Sequence, residues 1–196
     1  MMHVFHLNQS LQSIFWPNTR HTVKNVLLTL LGALLLAGAS QLSLPLQPVP
    51  LTFQSATVVL LGMTLGVRRG VASVAFYLMS GAMGLPLFAG FSAGLHVFFG
   101  PTGGYLLGFV PAVAVSGYLT EHGWGKHLVS AFIASLLGVF CIFVIGAFQL
   151  AQFIGWDNAW LLGVKPFLFT EILKLVFIAW VAKLCWTEPS IKQSTS

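Results

Sequence analysis

The sequence predicts an all-α membrane protein of six transmembrane helices with both termini cytoplasmic, and three observations predict it. Hydrophobic residues occupy 57% of the 196 positions and charged residues only 7%, a balance that a soluble core does not explain. Apolar runs approaching the roughly 20 residues needed to cross the hydrocarbon recur six times between turn signals. Cations gather at alternate turns: Arg20, Lys24, Arg68, Arg69, Lys126, Lys183 and Lys192 fall at the ends that six alternating spans place together, and among loop cations only Lys165 falls opposite. By the positive-inside rule the first group is cytoplasmic. The net charge of +5 is therefore topological; the nine basic residues form no patch with interleaved aromatics, so no nucleic-acid partner is expected.

Residues 1–22 read as a cytoplasmic tail or an interfacial helix, because apolar positions from Val4 to Trp16 recur at loosely helical spacing. Asn8, Gln9, Gln12 and Asn18 interrupt any signal-peptide core, so span one is expected to act as an uncleaved start signal. The transmembrane domain covers residues 23–186, and 187–196 form a second cytoplasmic tail. Span one is Val23 to Leu44. Its small residues include Ala33 and Ala37, four apart and on one face, which suits close packing on another span or docking of a partner protein. Pro45, Pro48 and Pro50 then enforce an extended loop.

Span two runs from Leu51 to Gly66 and carries many polar residues for a lipid-facing helix: Thr52, Gln54, Ser55, Thr57 and Thr64. Gln54, beside the proline loop, faces a cavity or bonds a neighbouring backbone. Span three is Val71 to about Leu87. The stretch Gly81–Tyr105 is too apolar for a solvated loop and too rich in Gly and Pro for a continuous helix. Irregular backbone at membrane depth persists where protein buries it or where it lines a cavity, so this stretch is expected to wall a site. Span four is about Gly104 to Thr120, residues 121–127 form a polar turn, and span five is Leu128 to about Ile154. Residues 155–160, with Trp156 and Trp160, read as an interfacial connection. Span six starts at Pro166, whose missing N–H suits a first helical turn, and ends near Trp186.

Glu171 and Lys174 stand within span six, three apart and on one face. At 1.5 Å per residue they lie roughly 8 to 12 Å from its outer end. Ionisable residues at that depth are costly and point to a binding function. Gly90-Phe91-Ser92-Ala93-Gly94 matches the G-x-S-x-G elbow of serine hydrolases but lacks a strand-turn-helix setting. The segment Gly100–Gly104 lacks the lysine of a phosphate-binding loop, while the N–H groups of Thr102 to Tyr105 can receive an anion. Cys141 and Cys185 sit in apolar runs, where packing is favoured over a disulfide or metal role. One acid, one base, several amides or hydroxyls and much apolar wall together suit a small amphiphilic solute.

Four sequence blocks resemble the BioY family of biotin-specific S components of energy-coupling-factor (ECF) transporters. They are Pro48-Val49-Pro50 with Gln54, Leu85-Pro86-Leu87-Phe88-Ala89-Gly90, Gly100-Pro101-Thr102-Gly103-Gly104-Tyr105, and Pro166-Phe167 with Glu171 and Lys174. The similarity spans about residues 24 to 186. It implies the six-helix S-component fold in a prokaryotic plasma (inner) membrane, no enzymatic activity, and biotin as transported ligand with no cofactor or metal. The site it implies comprises Glu171, Lys174, Ser92, Thr102, Gly103, Tyr105, Gln54, Phe88 and Gly90, with Glu171 and Ser92 taking the ureido N–H groups and Lys174 donating to a ligand oxygen. It further implies docking through Ala33 and Ala37 on a transmembrane coupling protein that works with two ATPase subunits. The family's usual aspartate is Glu171 here, its common asparagine is Ser92, and the basic residue that some relatives carry after the tyrosine is Leu106. A carrier for another small amphiphile and a membrane-embedded hydrolase using Ser92 are the alternative readings.

Overall fold

The computed structural model describes residues 21–185, so the expected tails lie outside the described residues except for residues 21 and 22, which open the first helix. Helix α1 spans His21–Gln41, followed by a minimal hairpin of β1 (Ser43–Leu44) and β2 (Leu51–Thr52). Helix α2 spans Gln54–Ala82, α3 Gly103–Leu119, α4 Leu128–Ile154, α5 Trp156–Gly163 and α6 Lys165–Cys185. Among the described residues, four helical stretches are long and apolar enough to cross a membrane: Thr22–Gln41, Gln54–Ala82, Gly103–Trp124 and Leu128–Ile154. Helix α6 is comparably long, but any 18 consecutive residues of it include three of Lys165, Glu171, Lys174 and Lys183.

The expected spans two and three form one helical run that reverses at Gly66. Gly66 adopts φ 77°, ψ 175°, a conformation open chiefly to glycine, and the chain turns back on itself there. The reversal is evident from Gln54 Nε2, which donates to Tyr77 Oη at 2.6 Å; in a straight helix 23 residues would separate these groups by roughly 35 Å. Helical geometry resumes at once, so Arg68, Arg69 and Gly70 lie in the second arm and not in a connecting loop. Glu121 Oε1 accepts from the Val67 N–H at 2.9 Å and satisfies a donor that begins this arm. Arg69 Nε donates to Asn25 Oδ1 at 2.9 Å, joining the start of α1 to the same end of the bundle.

The arms of α2 pack against α1, α3 and α6, and α3 lies between α2 and α4. Ala56, Val59 and Met63 of the first arm share a core with Leu175, Ile178, Ala179 and Ala182 of α6. This parallel packing places Lys183 level with the Gly66 turn. Phe88, only 1% exposed, closes the opposite end of the core, edge-on to Tyr77 at 5.5 Å and to Phe98 at 5.7 Å between ring centroids. Truncating such a side chain to alanine costs about 3–5 kcal/mol.

Several local expectations change. Span one stops at Gln41, because the prolines feed a hairpin pairing Ser43 with Thr52 and Leu44 with Leu51; the next helix consequently starts at Gln54, not Leu51. The second arm ends at Ala82, five residues before the expected Leu87, and gives way to 3-10 turns at Ala89–Phe91 and Leu95–Phe99. Residues 156–163 are helical where a connection was expected, with the break confined to Gly155 at φ 78°. On the Ala33–Ala37 face, Ala33 is 5% exposed inside the chain's own core and Ala37, partly buried, packs against that core, while Leu31, Leu34 and Leu35 face outward.

Candidate functional site

At the end of the bundle away from Gly66, the hairpin, the 88–97 turns, the start of α3, the middle of α4 and the start of α6 enclose a cavity of about 200 Å³. Its wall is largely apolar, formed by Val49 and Pro50 of the hairpin, Phe88 and Val97, Leu106 and Phe109, Ile142 and Phe143, and Phe167. Its polar groups are Thr52, Gln54, Ser55, Ser92, Thr102, Tyr105 and Glu171. An apolar cavity with a few converging polar groups is the usual form of a small-molecule site.

Glu171 is 5% exposed and held by one partner on the cavity wall, Ser55, and one off it, Lys174. Ser55 Oγ lies 2.8 Å from its Oε1 and 3.0 Å from its Oε2, and Lys174 Nζ forms an ion pair with Oε1. The three-residue offset puts both side chains on one face of α6, turned to the first arm of α2. Lys174 Nζ also donates to the Thr52 carbonyl at 2.9 Å and to Ser55 Oγ at 3.1 Å, and lies 5.7 Å from the centroid of the Phe53 ring. An ammonium carries three protons, and these three acceptors account for all of them. Lys174 is absent from the cavity wall. In this arrangement Lys174 neutralises Glu171 and ties α6 to strand β2.

A polar chain supports the other wall. Thr52 Oγ1 donates to Gln54 Oε1 at 3.1 Å, Gln54 Nε2 to Tyr77 Oη, and Tyr77 Oη to the Leu87 carbonyl at 3.1 Å. Gln41 Nε2 donates to the Phe88 carbonyl at 3.1 Å. Gln54 thus does both things its position suggests, lining the cavity and bonding a neighbour. Left-handed conformations at Gly90 (φ 64°) and Phe91 (φ 59°) turn the chain so that Ser92 reaches the cavity. Gly90 itself is a conformational element and does not line it.

Ser92 Oγ donates to the Ala89 carbonyl at 2.9 Å and sits between 3-10 turns, not on a strand-to-helix elbow. That geometry gives the hydrolase reading no activated nucleophile. Thr102 and Tyr105 line the cavity, with Tyr105 Oη donating to the Gly163 carbonyl at 2.9 Å. Gly103 does not line it; a Cβ there would collide with the Phe98 carbonyl, so this glycine allows α3 to dock under the 95–99 turn. Gln149 Nε2 fastens the same turn through the Phe98 and Gly100 carbonyls, each at 2.8 Å.

Of the nine expected site residues, the structure gathers Glu171, Ser92, Thr102, Tyr105, Gln54 and Phe88 around one cavity and sets Lys174, Gly90 and Gly103 behind it. Ser55, Tyr77 and Phe167 were not singled out. The excess of hydroxyls in span two was a signal for Ser55, but its partner lies 116 residues away.

Residues 11–190 match the BioY family. A probable biotin transporter BioY of Pyrococcus horikoshii is 40% identical over 151 residues, 77% of this chain and 89% of that protein. The biotin transporter BioY of Thermotoga maritima is 40% identical over 152 residues, 76% and 88% of the two chains. Biotin transporter BioY2 of Lactococcus lactis is 37% identical over 155 residues, 76% and 82%. Among solved structures, the S-component for biotin from an ECF-type ABC transporter aligns with TM-score 0.77 at 22% identity, covering 85% of this chain and 94% of that one. At that identity the likeness speaks for the fold, while the family match and the three relatives speak for descent. The chain belongs to the BioY family.

Proposed function

We propose that this protein mediates biotin uptake across a prokaryotic plasma membrane as the substrate-binding S component of an ECF-type transporter. In this reading the helices make six spans, the two arms of α2 counting separately, with both termini cytoplasmic and the cavity facing outward. The observation that carries it is Glu171, a buried carboxylate fixed by Ser55 and Lys174 at the wall of an apolar cavity. A carboxylate accepts at two oxygens. It suits the cyclic urea of biotin, whose N–H groups need acceptors, while Phe88, Phe143 and Phe167 cover the sulfur-containing ring. Ser92 and Thr102 supply hydroxyls for the remaining polar atoms. The relatives named as biotin transporters support this assignment.

Energy for uptake comes from outside the chain, from a transmembrane coupling protein and two ATPase subunits in the ECF arrangement. Calorimetric titration of the purified protein with biotin tests the assignment. Saturable heat at micromolar ligand is expected, and its absence with folded protein sinks the reading.

A further inference from the structure

Among the described residues the cavity wall holds one acidic or basic side chain, Glu171, and it is already paired with Lys174. Lys174 has no proton left to offer, since Glu171, Thr52 and Ser55 take all three. Lys165, His96 and Asp157, the other acidic, basic or imidazole groups at this end among the described residues, are exposed and none lines the cavity. Leu106 and Phe109 stand on the wall one turn into α3. A ligand carboxylate inside this space would be desolvated with no cation on the wall, among the described residues, to receive it. The start of α3, where Thr102 lines the cavity, typically favours a negative charge by no more than about fivefold, and an amide or ester carbonyl can use the same N–H groups.

We infer that the site recognises the ureido bicycle and is indifferent to the charge of the side-chain terminus, so that biotin derivatives with a neutral terminus, such as the primary amide and the methyl ester, are ligands alongside the free acid. This rests on the cavity being the biotin site. The carboxylate of the free acid then stays at the solvent-facing mouth, where water solvates it.

Purified protein titrated calorimetrically at pH 7.5 with biotin, biotinamide and biotin methyl ester tests the inference. The neutral ligands are expected within about threefold of the acid. A neutral ligand ten or more times weaker than biotin overturns the inference and leaves the functional assignment standing. No binding of any of the three removes both together. A parallel titration of Lys165→Ala is expected to leave the acid-to-ester ratio unchanged; selective weakening of the acid would show that an outer cation holds the carboxylate and would equally overturn the inference.

Discussion

Glu171 and Lys174 differ in role although the sequence presents them as a pair. Glu171 faces the cavity and Lys174 stands behind it, so either substitution breaks the buried pair but only that of Glu171 removes a group that meets the ligand. Glu171→Gln keeps the shape but removes the charge that accepts ligand N–H groups, and charge-assisted bonds are about twice as strong as neutral ones. Biotin affinity should fall at least tenfold, about 1.4 kcal/mol, in calorimetric titration; unchanged affinity would place the ureido group elsewhere. Lys174→Met instead leaves a buried carboxylate unpaired, which typically costs 3–5 kcal/mol, and frees the Thr52 carbonyl from its donor. The melting temperature in detergent should drop clearly, and adding Glu171→Gln should recover most of that loss without restoring affinity. A double variant as unstable as Lys174→Met alone would mean that the lysine acts through strand β2 and not through charge. The pair was legible because an acid and a base three apart in an apolar run can mean little else. Ser55 was not, because one serine among several hydroxyls reveals its role only through a contact across 116 residues.

Helix boundaries were legible wherever a local signal acts alone and obscure where tertiary packing decides. Span five was read to its ends, Leu128–Ile154, because a polar turn and Gly155 bracket an uninterrupted apolar run. Residues 156–163 were misread because Trp156, Asp157 and Asn158 look like an interfacial loop, whereas Ala159 and Gly163 turn inward to close the bundle. The face carrying Ala33 was likewise ambiguous, since small residues suit any close helix contact. Burial assigns it to the chain's own core, so Ala33→Trp should lower the yield of folded protein instead of selectively uncoupling transport. Overpacking of this kind costs typically 1–3 kcal/mol, and normal yield with normal biotin binding would reinstate an outward face. The reversal at Gly66 makes a sharper test. Any side chain there needs an unfavourable φ of 77° and brings its Cβ to Glu121 Oε1. Gly66→Ala should therefore reduce thermal stability, and an unchanged melting curve would show that the turn has another available conformation.

The charge distribution and the cavity position express one asymmetry of the whole molecule. Lys24, Arg68, Arg69, Lys126 and Lys183 belong to the end built from the start of α1, the Gly66 turn, the 120–127 turn and the end of α6. The cavity, the hairpin and Lys165 belong to the other. A cytoplasmic excess of Lys and Arg follows from how segments insert, so the end that carries the cations should be inside and the cavity should open outward, where a scarce solute must be captured. The sequence carries this polarity in its cations alone, but the cavity becomes visible only when α2 folds back and brings Ser55 to Glu171. Phe91 beside the cavity and His127 at the opposite end are both exposed and suit thiol labelling. In a variant lacking Cys141 and Cys185, Phe91→Cys should react with a membrane-impermeant maleimide on intact cells, and His127→Cys only after permeabilisation. The reverse pattern would put the cavity on the cytoplasmic side, and an importer would then have to bind its solute on the wrong face of the membrane.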